Sequence, residues 1–275
     1  MVSVANEVEA VDETAVRRRG GRGRLGVWVW RLAVPPVALG IWQLAYQLRL
    51  SNRALLPSPR TVWDATASLQ DSGVLWPNLA STLGAALVAL ALSALVGTPF
   101  GVLLGMLPRA WEVLGPYLNA LNSMPRIALA PVFVVLLGVG QSSKVAVGFS
   151  VAVFIFMMNA RAGVLGADDE HRRVCLTLGA SKAQMFWKLY VPGALPAIFA
   201  ALRLGMVYAL LGVVSSEILA SQSGVGQLIV SYSATLSMAY VYALLIILAA
   251  FASALTLVLG AVEASLLGWQ PSRPR

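Results

Sequence analysis

Apolar residues run along this chain in long blocks separated by short polar or basic joints. The blocks fall at about 27–48, 78–107, 115–139, 144–166, 192–220 and 238–267. Each reaches the roughly 20 residues that an α-helix needs to cross a bilayer. The pattern predicts an all-α, polytopic membrane protein with six spans. One joint differs in kind: residues 167–190 are both charged and helix-compatible. Leu178, Met185, Phe186 and Leu189 recur there at roughly helical spacing and predict one apolar face. Gly179 stands between two helical pieces and predicts a tight turn, since glycine tolerates positive φ.

Composition sharpens this picture. Of 275 residues, 58% are hydrophobic and only 12% charged, too little charge to cover a soluble surface. The net charge of +8 therefore does not point to nucleic acid, because the basic residues lie mostly in short joints beside spans. Residues 1–26 are a polar tail, acidic first and then basic, with Arg17, Arg18, Arg19, Arg22 and Arg24 suited to an anionic inner leaflet. Residues 270–275 are a second short tail, and 27–269 form the membrane domain. With the N-terminus inside, thirteen Lys and Arg fall on the cytoplasmic side and four (Arg49, Arg53, Arg60, Lys144) outside. Both termini and the 167–190 loop are thereby expected in the cytoplasm.

Several chemistries are absent from the sequence. Cys175 and His171 are the only residues of their types, so no intrachain disulfide can form and no Cys/His cluster with metal-ligand spacing exists. There is no GxxxxGK[ST] loop, so the chain has no phosphate cradle of its own. No catalytic constellation is present, and no secretory signal is expected, since the first apolar stretch begins after Arg24.

Within the spans, Gly97, Gly101 and Gly105 recur every four residues and predict close approach of another helix. Pro35 and Pro36 predict a kink in the first span. Asn119, Asn122, Ser123 and Arg126 are offset by 0, 3, 4 and 7, one helical face. Burying Arg126 at mid-membrane costs roughly 2.5–3.5 kcal/mol on insertion scales. Either that face meets water, a partner or an anion, or Arg126 snorkels to the inner headgroups. Glu217, in the fifth span, is expensive unless it faces a cavity or a partner.

The stretch from Glu170 to Leu204 resembles the EAA loop of ABC-importer permeases. Gly179, Ala180, Ser181, Pro192, Pro196 and Arg203 match, with thirteen positions from Gly179 to Pro192 as in the family. The Glu-Ala-Ala itself falls on Arg173, Val174 and Cys175, so the family's acid is replaced by Arg173. Leu56–Pro59 (LPSP), the Asn122–Lys144 stretch and Glu217 ahead of Gly224 and Gly226 are similar to the nitrate, sulfonate and taurine branch. The resemblance implies the type I importer permease fold, with Arg173, Thr177, Leu178, Gly179, Ala180, Ser181, Phe186 and Pro192 coupling to an ATPase. It also implies a homodimer in the bacterial inner membrane, two cytoplasmic ATPase subunits and an external solute-binding protein. ATP and magnesium would be bound by the ATPase and no cofactor by this chain, which is then no enzyme. Asn122, Arg126 and Glu217 are expected on the pathway of a small anion or another small organic solute. The competing class is an ion-coupled secondary transporter, for which Glu217 is the lone candidate site.

Overall fold

The structure is a computed structural model that describes residues 30, 32–49, 52, 54–166 and 169–266. Both expected tails lie outside the described residues. The contacts divide the chain into two units at Asp64/Ala65. In the first unit, residues 32–47 form α1, which runs unbroken across Pro35 and Pro36. The Trp42 indole donates to the Pro57 carbonyl at 3.0 Å. Ser58 caps the next helix, α2 (Pro59–Asp71), by accepting the Thr61 N–H at 3.2 Å, with Pro59 at the first helical position.

The second unit is built on α3 (Leu75–Met106), α6 (Gln141–Leu165) and α9 (Val191–Ala220). α3 and α6 share the most extensive contact, and α6 and α9 the next. The reason is side-chain size. The core between them is Ala85, Ala86, Ala89, Ala152, Ala201 and Ala209, with Phe156 and Met206 filling the gaps. The four-residue glycine spacing acts as predicted: a Cβ on Gly97 would stand 2.9 Å from Phe156 Cβ, and one on Gly105 2.7 Å from Val164 Cβ. In lipid, where tails are as apolar as leucine, such close backbone approach replaces the hydrophobic effect as the source of helix association.

Among the described residues, four helices are long and apolar enough to cross a membrane: α3, α6, α9 with its approach, and α11 (Met238–Leu266). The expected first span begins outside the described residues. The expected third span, 115–139, is not one straight helix. α4 (Pro108–Ser123) and the run Arg126–Leu137 meet at 80°. The cause is Pro125: it drives Met124 out of the helical region, to φ −68°, ψ 139°. A 3₁₀ turn, Arg126–Leu129, then leads into α5 (Ala130–Leu137). α10 (Val225–Ala234) follows the loop after α9, and α11 packs on α9 and α10. Leu248, Ala252, Leu255 and Leu259 of α11 pack on the core, while Leu245, Leu257, Val258 and Val262 are exposed, a face left for lipid or a partner.

Candidate functional site

Three places in this fold gather the polar and exposed residues that an apolar chain would not otherwise tolerate.

The first is the loop before α9. α7 (Asp169–Thr177) ends on Gly179, whose φ is +71°. The Ala180 N–H donates to the Cys175 carbonyl at 2.9 Å and the Gly179 N–H to that of Leu176 at 3.0 Å. These two bonds form a Schellman motif with the glycine in its left-handed position. α8 (Lys182–Met185) starts at once. The Ser181 hydroxyl accepts the Gln184 N–H at 3.2 Å, and the Gln184 side chain accepts the Ser181 N–H at 2.8 Å, a capping box. A π-helical turn, Phe186–Tyr190, leads directly into α9, where Pro192 occupies the first turn. The apolar side chains divide differently from the pattern's single face. Met185 is buried and Phe186 packs against Val102, Ala160, Val164 and Ala194. Leu178 lies on the turn itself, 80% exposed, and Trp187 is 69% exposed. Arg173 and Thr177 are exposed, and the Thr177 hydroxyl donates to the Arg173 carbonyl at 3.0 Å.

The second is a cavity of about 530 Å³ lined by Asn122, Arg126, Phe154, Asn159, Leu204 and Tyr208, among others. The 80° bend brings Arg126 back onto Asn122, so the two meet although they no longer share one helix. Nη2 donates to Asn122 Oδ1 at 2.6 Å and to the Leu121 carbonyl at 3.3 Å. Nη1 donates to the carbonyls of Ser150 and Val151 on α6 at 3.1 and 3.2 Å. The guanidinium lies 3.8 Å from the centre of the Phe154 ring. All these partners are neutral. Hydrogen bonds engage both Nη groups, yet the four hydrogen-bonding partners leave the charge uncompensated beside the cavity.

The third is a buried ion pair that the sequence reading missed. Lys144, counted there as an external charge, lies in the first turn of α6, 1% exposed, with Nζ 3.0 Å from Glu217 Oε1. The Lys144 ammonium also donates to the Ser223 carbonyl at 2.7 Å and to Ser81 Oγ at 3.0 Å. The Thr82 hydroxyl lies 2.9 Å from both oxygens of Glu217. The Gly226 N–H donates to Glu217 Oε2 at 3.0 Å, which puts the carboxylate at the N-terminus of α10. Glu217, expected on a pathway, is engaged here by neighbouring helices of its own chain. It is 1% exposed and enclosed by its own chain, because a carboxylate without such partners costs several kcal/mol in an apolar interior. The signal was available: Lys144 opens one apolar block and Glu217 nearly closes another, so both lie at the same end of the bundle.

Comparison with known proteins gives this arrangement a setting. Residues 97–267 match the family described as binding-protein-dependent transport system inner membrane component. The chain is 31% identical to a putative aliphatic sulfonates transport permease of Bacillus subtilis, over 98% of this chain and 97% of that protein. It is 30% identical to the taurine transport permease of Escherichia coli, over 85% and 86% respectively. A nitrate import permease of Synechocystis is 29% identical over 70% of this chain and 74% of its own. Among solved structures, an inward-facing MetNI methionine ABC transporter aligns with TM-score 0.63 at 17% identity, covering 71% of this chain and 97% of that one. That likeness speaks to the fold, which is the type I importer permease fold.

Proposed function

The chain belongs to the inner membrane components of binding-protein-dependent transport systems, and from that premise we propose that it carries a small anion through the membrane, driven by a separate ATPase. The reading rests on one continuity above all. The helical run that begins just after the turn at Leu178 and exposes Trp187 continues without a break into α9, and α9 contributes Leu204, Tyr208 and Leu211 to the cavity beside Arg126. An ATPase that grips the loop can therefore act on the cavity wall through one helix.

In this reading two copies face each other with the pathway between them, two ATPases bind the loops of residues 169–190 in the cytoplasm, and a solute-binding protein delivers the cargo from outside. Asn122 and Arg126 stand on the pathway, where uncompensated positive charge lowers the barrier to an anion. The names of the relatives point to sulfonates, taurine or nitrate as the cargo class. The ion-coupled alternative loses support from the state of Glu217. The acid it needs is already held by Lys144.

The test is reconstitution in liposomes with the partner ATPase and binding protein, followed by uptake of taurine, ethanesulfonate and nitrate. ATP-dependent accumulation of at least one of them, with no ATP hydrolysis by the isolated chain, is expected. Uptake driven by an ion gradient without ATP overturns the reading.

A further inference from the structure

The joint around Lys144 and Glu217 is built at the end of the bundle opposite the coupling loop. α9 begins next to that loop and its 30 residues span about 45 Å before Ala220. Glu217 lies in its last turn. Three consecutive backbone donors at the start of α10 are satisfied there by side chains of other helices. The Gly224 N–H donates to Asn78 Oδ1 of α3 at 2.6 Å, the Val225 N–H to Thr82 Oγ1 at 2.8 Å, and the Gly226 N–H to Glu217. The glycines make this approach possible. Gly224 has φ +108° and sits where any Cβ would collide with the Glu217 carboxylate, and a Cβ on Gly226 would stand 2.7 Å from Glu217 Cβ.

The rest of α10 is held by packing and not by buried hydrogen bonds to other helices. Val225, Gly226 and Leu228 are buried, whereas Val230 and Ser231 are exposed. α10 is thus fixed at its N-terminus by α3 and α9, and beyond it the helix rests on α11, where the Tyr232 ring stacks on that of Tyr240 with centres 4.6 Å apart. The Lys144 ammonium completes the fixture by holding the Ser223 carbonyl of the connecting loop. A buried ion pair of this kind adds little net stability compared with apolar residues of the same volume. Its value here is geometric, since it holds α3, α6, α9 and the start of α10 to one point.

We propose that the Lys144–Glu217 pair is the joint that makes α10 move with α9, so that displacement imposed on α9 at the coupling loop arrives at the opposite end as movement of α10. Both are positioning residues. The proposal rests on the ATP-driven reading for the source of the motion, but the lock itself is independent of it.

The test uses the full chain with Cys175→Ser and spin labels at positions 87 on α3 and 230 on α10. In lipid nanodiscs without ATPase, the native joint gives a narrow distance distribution, and Lys144→Met/Glu217→Leu, which removes both charges together, broadens it at least twofold. Asn78→Ala, which leaves the ion pair intact and frees only the Gly224 N–H, broadens it less. Unchanged width in both variants overturns the lock. In the complex with its ATPase, labels at position 230 and at position 135 on α5, an exposed site outside the joint, give a native distance that Mg-ATP and vanadate shift. The double variant keeps ATP hydrolysis within about twofold but loses the shift. A native complex that hydrolyses ATP with the distance unmoved overturns the transmission. Failure of the native chain to alter the activity of the ATPase overturns the ATP-driven reading and leaves the lock result standing.

Discussion

Lys144 and Arg126 are both cations inside a predominantly apolar fold, and the structure treats them in opposite ways. Lys144 is enclosed, and its charge meets Glu217 at 3.0 Å. Arg126 is half-buried, has every Nη donor directed at a neutral acceptor, and borders a cavity. The position of the counter-charge separates the two roles. Where the chain supplies the carboxylate, the cation fixes helices together. Where the hydrogen-bonding partners are carbonyls and an amide, the guanidinium is held in place but its field remains available to a solute. The planar fork of arginine suits the second task, since it can satisfy four acceptors and keep its charge.

The largest effect that can break this comparison is Lys144→Met. It leaves the Glu217 charge buried without its counter-charge and is expected to cost about 3–5 kcal/mol, read as thermal or denaturant unfolding in detergent. Adding Glu217→Leu should recover most of the loss. A double variant no more stable than the single would show that the cost is not the orphaned charge.

Next in size is Gly224→Ala. A side chain at φ +108° that also meets the Glu217 carboxylate is expected to cost about 2–3 kcal/mol in the same assay. Native stability in that variant would mean the joint is looser than its geometry.

Arg126 sharpens the other half. If its charge acts on the solute, Arg126→Gln should lower anion uptake about tenfold, and Arg126→Glu should abolish it, because reversal of the field adds a barrier of several kcal/mol at low dielectric. Equal uptake by the two variants would assign Arg126 only to bracing the bend between α4 and the 3₁₀ turn.

The smallest change in stability is expected at Gly179. Nothing lies within 4 Å of a Cβ there, so Gly179→Val meets only the strain of its φ of +71°, about 1–2 kcal/mol. The protein should remain folded while ATPase binding, measured by co-purification, weakens. Wild-type binding would detach the loop's geometry from coupling.

Much of this protein was legible in the order of its residues. The apolar blocks located α3, α6, α9 and α11 to within a few residues, because a bilayer-length apolar run has few alternatives to a helix. Gly179 as a left-handed turn and Gly97, Gly101 and Gly105 as a contact ridge were also readable, since each follows from a missing Cβ. The single apolar face through Leu178, Met185, Phe186 and Leu189 was not correct, because the Schellman turn rotates Leu178 out of register with the residues that follow.

The amino-acid sequence by itself determined the class of molecule, the positions of α3, α6, α9 and α11 and the turn that shapes the exposed loop, for these depend on local composition and backbone freedom. Tertiary structure alone decided the partners of its charges. Lys144 and Glu217 are 73 residues apart, and Arg126 meets the carbonyls of Ser150 and Val151 only because Pro125 turns the chain by 80°. A charge inside a membrane protein is defined by what lies within about 4 Å of it, and spacing along the chain does not contain that information.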